Sequence, residues 1–243
     1  MGKMELNQPV VKQLFPKSLI ASILGEIIDV FGCYTGQVMN EKALIGLFAD
    51  DPDGFIACAC MCQKLLSIWR LSVSDAMCSA CNDRGIRLPA VNTKPIIAFS
   101  SRHTARSDEN WIIPAHQDWA SNLGSLRGFT CWLPLVDVPH ELGPIEIIPG
   151  SESRGFLPHV MYNRIPILCD QPSDDQYTAY PVEVGDAIFF NTLTIHRSGI
   201  NMTDDRIRIS LHFRYDDALD PELAARKYPK NRTDGGPGME QTR

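Results

Sequence analysis

Two short motifs carry residue types that hold a metal ion: His116-Gln117-Asp118 and, far along the chain, His196-Arg197-Ser198. In an extended strand residues i and i+2 face the same way. His116 and Asp118 can therefore offer an imidazole nitrogen and a carboxylate oxygen to one ion while Gln117 points away. A second histidine, His196, brought in on a distant strand completes two nitrogens and one oxygen on one side of the ion. This is the facial triad that suits non-heme Fe(II), with positions left open for chemistry. A lone His-x-Asp is common by chance, and it is the distal histidine and its surroundings that give the motif weight.

The elements that must position these residues differ along the chain. Residues 12–91 read as helical: Leu14, Leu19, Ile23, Ile27 and Ile28, then Leu44, Leu47 and Phe48, then Leu65, Leu66 and Ile68 recur at intervals near 3.6. From Pro95 to about residue 215 the pattern changes to short β-rich runs divided by Gly, Pro and Asp. Examples are Ile96 to Phe99, Phe129 to Leu135, Ile145 to Ile148, Tyr180 to Val184, Ala187 to Phe190 and Ile207 to Phe213. Many short strands punctuated in this way predict a mainly β fold, a sandwich or jelly roll, with the N-terminal helices packed on it. At 243 residues the chain fits one domain, 1–243, and residues 220–243 are polar enough to predict a loose tail.

Composition narrows the function. With 44% hydrophobic and 21% charged residues and a formal charge of −6, the chain lacks the basic surface expected of a nucleic-acid or anionic-membrane binder, and a small-molecule substrate fits better. No apolar run long enough to span a membrane stands out, and Met1-Gly2-Lys3-Met4-Glu5-Leu6 has no signal-like core, so a soluble, cytoplasmic protein is expected. Of the eight cysteines, Cys58, Cys60 and Cys62 lie on an apolar helix, and Cys78 and Cys81 form a single Cys-x-x-Cys without a turn residue. Structural zinc usually takes paired knuckles on turns, so reduced, mostly buried thiols in a reducing compartment are expected instead. Nothing in the sequence fixes the oligomeric state.

Five blocks in order carry a family resemblance. They are Pro114-Ala115-His116-Gln117-Asp118-Trp119, Trp132 to Asp137, Gly143-Pro144-Ile145-Glu146-Ile147-Ile148-Pro149-Gly150-Ser151, Gly185-Asp186-Ala187-Ile188-Phe189-Phe190, and His196-Arg197-Ser198-Gly199-Ile200-Asn201. In order and spacing they resemble the phytanoyl-CoA dioxygenase family, from about Ile96 to Tyr215. The resemblance implies a double-stranded β-helix and an enzyme that uses Fe(II), 2-oxoglutarate and O2, with His116, Asp118 and His196 as metal ligands. It implies oxidative decarboxylation of 2-oxoglutarate to succinate and CO2, coupled to hydroxylation of a substrate. Halogenating relatives replace the carboxylate ligand by a small residue; Asp118 fills that place here, which favours hydroxylation or a related oxidation.

The far carboxylate of 2-oxoglutarate needs a cation, and an arginine fork pairs with it bidentately. In the family that arginine usually lies eleven residues past the distal histidine, a position held here by Ile207 and flanked by Arg206 and Arg208. On a strand Arg206, Arg208 and Ser210 share one face while Ile207 and Ile209 take the other. Arg208 is favoured, since Arg-x-Ser is a recurrent clamp among related oxygenases, with Arg206 as the alternative. Ser198 matches a family serine that bonds the same carboxylate, or is a turn residue before Gly199. Trp132 matches a position lining the cosubstrate pocket, or is a core aromatic. Gly185-Asp186 and Gly150 read as turns.

Substrate clues are thinner. Arg102, His103 and Arg106 precede the metal motif and can hold an anionic group, although such a run is more often a solvated loop. The chain shows no acyl-CoA module, which favours a small polar metabolite or natural-product intermediate. His103, His140, His159 and His212 lack ligand spacing and are expected at the surface or in packing. Two other functions compete: a catalytically silent metal-binding jelly roll that binds or regulates through small molecules, and a cupin-like enzyme that uses its metal without 2-oxoglutarate.

Overall fold

The computed structural model describes residues 9–104, 112–163 and 165–229. Five helices come early: α1 (Lys17–Thr35), α2 (Glu41–Asp50), α3 (Pro52–Cys62), α4 (Leu66–Ser72) and α5 (Asp75–Asp83). The starts of α2, α3 and α5 are set by side chains that accept backbone N–H groups, Asn40 from Ala43, Asp51 from Gly54 and Ser74 from Met77. The left-handed Gly36 at φ 68° ends α1. By length and composition α1 reaches the range of a membrane span, an exception to the expected absence of such a run. Its Ile20, Ile23, Ile27 and Phe31 repeat at helical spacing and are buried, so this face is spent on the core.

The strands are β1 (Val10–Val11), β2 (Pro89–Val91), β3 (Ile96–Ser100), β4 (Phe129–Pro134), β5 (Glu146–Ile147), β6 (His159–Tyr162), β7 (Ile165–Leu168), β8 (Thr178–Ala179), β9 (Ala187–Asn191), β10 (His196–Arg197) and β11 (Arg208–Asp217). The larger sheet runs β1-β9-β4-β11, and β3 and β2 share the far edge of β11, one at each end. The smaller sheet contains β8-β5-β10. It continues through the backbone bridge between His196 and His116, and the Leu168 N–H to Ala115 O bond then ties in the β7–β6 hairpin. All pairing is antiparallel, and the architecture is a jelly roll, the double-stranded β-helix. Two short helices complete it, α6 (Trp119–Asn122) and α7 (Pro221–Ala225).

β11 divides the interior. Ile209, Leu211, Phe213 and Tyr215, with Ile207 just before them, join the core under the helices, where Phe99 of β3 meets Phe31 and Phe55 at ring distances of 5.5 and 5.1 Å. The alternate residues Arg208, Ser210, His212 and Arg214 face the other way, into the space between the sheets.

Several expectations are corrected. Pro89–Val91, at the end of the stretch read as helical, is a strand, because it pairs with Tyr215, Asp216 and Asp217 of β11. Within Tyr180 to Val184 only Val182 is paired, in a single bridge with Val138; the regular strand precedes it at Thr178–Ala179. The segment expected to be loose opens with α7, whose start is capped by Asp220. Arg226 then donates to the carbonyls of Leu123 and Gly124, while residues 230–243 lie outside the described residues. All eight cysteines are free thiols; Cys58, Cys62, Cys81 and Cys131 are buried, and Cys33, Cys60, Cys78 and Cys169 are exposed.

Candidate metal centre

His116 and His196 meet through the backbone. Each donates its N–H to the other's carbonyl, at 3.0 and 3.2 Å, which makes them a directly opposed antiparallel pair with ring centroids 4.1 Å apart. Each ring is oriented by the same device. Nδ1 of His116 lies 2.8 Å from the carbonyl of Pro114, and Nδ1 of His196 lies 2.9 Å from that of Thr194. An Nδ1–H that donates to a carbonyl leaves the Nε2 lone pair for a metal.

Asp118 comes from a different backbone state. It sits at φ −56°, ψ −31°, at the entry to α6, so the strand alternation expected to align it with His116 ends one residue earlier. Its carboxylate still reaches the centre: Oδ1 lies 3.9 Å from Nε2 of His116, and Oδ2 lies 4.0 Å from Nε2 of His196. Both separations exceed hydrogen-bond reach, so the three groups are neighbours around a common point rather than each other's partners. One ligand atom from each side chain falls within 4.8 Å of the others, and all three residues are buried.

The electrostatics prepare these groups to ligate. Burial, then the nearness of His196, pushes His116 down to about 3, and burial also lowers His196, so both imidazoles are neutral near pH 7. Burial alone would raise Asp118, but the Arg214 guanidinium, followed by the two imidazoles, more than offsets it and holds the carboxyl well below its usual range. Arg214 Nη2 donates to Asp118 Oδ1 at 2.8 Å, and the Thr130 hydroxyl donates to Oδ2. Gln117 points away, as expected, but into a buried niche. Its Nε2 donates to Gly155 O and Leu193 O, at 2.8 and 2.6 Å, and its Oε1 accepts the Leu157 N–H.

The two arginines before and within β11 separate cleanly. Arg206 precedes the strand, is 37% exposed, lies 4.0 Å from Glu41 and donates to Asp137 O at the surface. Arg208 is buried on the inner face and faces the ring of Trp132 at 5.9 Å. It donates to the carbonyl of Gly143, with Gly199 O at 3.5 Å. Its Nε has no hydrogen-bond partner, and it has no acidic partner among the described residues; burial alone lowers it to about 10. A buried guanidinium in that state lacks a counter-charge among the described residues.

Trp132 is buried with Val138, Leu142, Ile145 and Ile188, so it is a core aromatic, and its ring flanks Arg208. Ser210 bonds His212 at 3.2 Å. Ser198 accepts the Ile113 N–H at 3.1 Å and donates its own N–H to Ile113 O. His212 is no surface histidine. It lies on the inner face opposite Trp132, and burial, then Arg214, lowers it to about 3. His103 and His140 are exposed, and His159 packs against Phe156 in a stacked pair, as expected. Arg102 and His103 both engage Asp204, and Arg106 lies outside the described residues.

Thr130, His212 and Arg214 escaped the sequence reading. The signal for the last two was present, because the alternation that joins Arg208 to Ser210 also reaches them once the strand continues past Phe213. Thr130 carried no local signal; its role arises from register alone, which sets it directly opposite Arg214.

Comparison with known proteins places the chain in a family. Residues 29–210 match the family model described as phytanoyl-CoA dioxygenase (PhyH). A 1-deoxypentalenic acid 11-beta-hydroxylase from Streptomyces exfoliatus is 26% identical over 154 residues, 55% of this chain and 52% of that protein. The chain thus spans about half the length of this curated relative. Among solved structures, the epimerase SnoN in complex with Fe3+, alpha ketoglutarate and nogalamycin RO is 18% identical, covering 87% of this chain and 80% of its own, with a TM-score of 0.58. The non-heme monooxygenase ThoJ, in its apo form, is 17% identical, covering 87% and 75%, with a TM-score of 0.59. At these identities the structural likeness speaks for the fold.

Proposed function

We propose, from the premise that this chain belongs to the phytanoyl-CoA dioxygenase family, that it is an Fe(II)- and 2-oxoglutarate-dependent oxygenase that hydroxylates a small molecule. The observation that carries the reading is the convergence of His116, Asp118 and His196 on one buried point, with ligand atoms within 4.8 Å. Two neutral imidazoles and one carboxylate are the donor set that non-heme Fe(II) takes with positions open. In this reading the three side chains hold the iron, and Arg208 receives the far carboxylate of 2-oxoglutarate, supported by its burial without an acid. Trp132 walls that carboxylate in, Ser210 steadies His212 beside it, and Ser198 fixes the backbone of Ile113 behind His116.

When bound, iron and 2-oxoglutarate supply an oxidant from O2, with succinate and CO2 as coproducts. The chain's own part is to hold the two imidazoles neutral and the Asp118 carboxylate ionised, to receive the cosubstrate's far carboxylate at Arg208, and to shield the centre with apolar neighbours such as Phe190, whose ring lies 4.4 Å from that of His196. The relative named as a hydroxylase of 1-deoxypentalenic acid supports hydroxylation and a small polar metabolite or natural-product intermediate as substrate. The net charge of −6 and the free thiols support a cytoplasmic enzyme without a nucleic-acid or membrane partner. The test is substrate-free turnover: with Fe(II) and O2 the protein should convert 2-oxoglutarate to succinate, and His116→Ala or Asp118→Ala should abolish it. A screen of small metabolites by mass should then show a gain of one oxygen. A protein that neither binds 2-oxoglutarate nor forms succinate would overturn this reading in favour of a silent metal-binding jelly roll or a cupin-like enzyme that uses its metal without 2-oxoglutarate.

A further inference from the structure

The carboxylate of Asp118 is held in an unusual way for a residue at the entry to a helix. An aspartate there ordinarily caps the free N–H groups of the first turn. Asp118 makes no such side-chain bond in α6. Both of its oxygens turn instead to the larger sheet, Oδ1 to Nη2 of Arg214 at 2.8 Å and Oδ2 to the Thr130 hydroxyl. Those two donors are a directly opposed cross-strand pair of β4 and β11. Thr130 is also opposite Phe190 of β9, whose ring lies 4.4 Å from that of His196. The smaller sheet thus aligns the two histidines, and the larger sheet aligns the third donor.

We propose that Arg214 and Thr130 are positioning residues for the metal: together they fix the plane and direction of the Asp118 carboxylate that would ligate the ion. This rests on the metal-centre reading above. Each donor takes one lone pair on its oxygen and leaves another to ligate, while the two bonds together set the plane and direction of the carboxylate. Thr130 supplies direction through a single hydroxyl, and Arg214 supplies direction and charge through a planar fork. Partners of this kind, one shell removed from the metal, typically govern about 10–100-fold in metal affinity.

The test uses cobalt(II) as the probe on the full chain, reading affinity by titration and ligand geometry by the visible absorption of the bound ion. Thr130→Val keeps the shape of the side chain and removes the hydroxyl; Thr130→Ser keeps the hydroxyl. Thr130→Val and Arg214→Met should each weaken cobalt binding by roughly 10–100-fold and change its spectrum, while Thr130→Ser should stay within about twofold of the parent in affinity. Arg214→Lys, a point charge without the fork, should fall between. Thermal unfolding of the apoproteins separates this from a merely structural role, which would lower the melting temperature and leave affinity and spectrum alone. Should Arg214→Met fail to fold, Thr130→Val decides the matter. Parent-like affinity and spectrum in folded Thr130→Val would overturn the proposal, as would equal losses in Thr130→Ser and Thr130→Val. His196→Ala is the control for the reading beneath it. If the parent chain binds cobalt no better than His196→Ala, the metal centre itself falls; if only the Thr130 and Arg214 variants behave like the parent, the positioning role alone falls.

Discussion

The smaller and larger sheets contribute to one centre by different means. On the smaller sheet, a single antiparallel bridge brings His116 and His196 together, and each ring is turned by a carbonyl two residues earlier in its own chain segment. On the larger sheet, side chains at alternate positions do the work: Arg214 of β11 and Thr130 of β4 hold Asp118, and Arg208 lies at the other end of β11. The first method is stiff and nearly local. The second depends on register across β3, β4 and β11, and a one-residue slip would turn Arg208, His212 and Arg214 into the apolar core. The histidine half should therefore fail completely when one residue is lost, and the β11 half by degrees.

The largest effect expected is at His196. His196→Ala removes one of three ligands and should bring both metal binding and succinate formation to background, with the fold retained because the backbone bridge to His116 does not need the ring. Circular dichroism and a metal titration on the same sample check both halves of that statement. If His196→Ala kept metal near the parent affinity, the two-sheet division would be wrong at its root.

Next comes Arg208 against Arg206. Losing a buried fork that receives a carboxylate should raise the 2-oxoglutarate KM of Arg208→Leu by about 10–100-fold, the equivalent of about 1.4–2.8 kcal/mol. Arg206→Leu, at the surface beside Glu41, should leave KM within about twofold, as surface ion pairs contribute little. The reverse ranking would mean that the strand enters the site two residues earlier.

The convergence of His116, Asp118 and His196 and the fold class were legible in the sequence because they lie in short motifs and in a run of β-rich segments. The choice between Arg206 and Arg208 was open because both satisfy the same alternation; the start of β11 at Arg208 leaves Arg206 outside the strand and Arg208 buried, and the proposed role of Arg208 rests on that difference. Thr130, and the pairing that sets it against Arg214, were hidden for a different reason. Their importance comes from a pairing between residues far apart in sequence, and periodicity along either strand says nothing of which residue it faces. Asp118 shows the converse. The i, i+2 argument placed it correctly beside His116, yet the chain achieves this with a helical turn in place of a strand.

Gly199 probes how the two sheets are joined. A Cβ at Gly199 would stand 2.1 Å from Pro144 O and 2.8 Å from the carbonyl carbon of Gly143, where the chain after β10 crosses the segment leading into β5. The carbonyls of Gly143 and Gly199 at this crossing are the ones that Arg208 faces. Gly199→Ala should therefore force the backbones apart, destabilise the protein by about 1–3 kcal/mol and weaken 2-oxoglutarate binding, while the metal ligands stay in place. Denaturant unfolding and a cobalt titration measure the two consequences separately.

The smallest effect is at His212, where the strand's inner face meets acid. Its folded value, lowered to about 3 by burial and Arg214, lies below the ordinary value of 6.5. The unfolded chain therefore takes up this proton first as pH falls. The stability that the neutral ring contributes is complete above about pH 6.5 and is lost progressively as pH falls toward 3. His212→Gln, which keeps a neutral hydrogen-bonding group beside Ser210, should unfold with a shallower pH dependence across that window and differ from the parent melting temperature by only about 2–4 °C at pH 7. The buried His116 and His196 titrate in the same direction, so the acid limb should flatten in His212→Gln without disappearing. An unchanged slope would place the acid sensitivity of the apoprotein wholly on the histidine side of the centre.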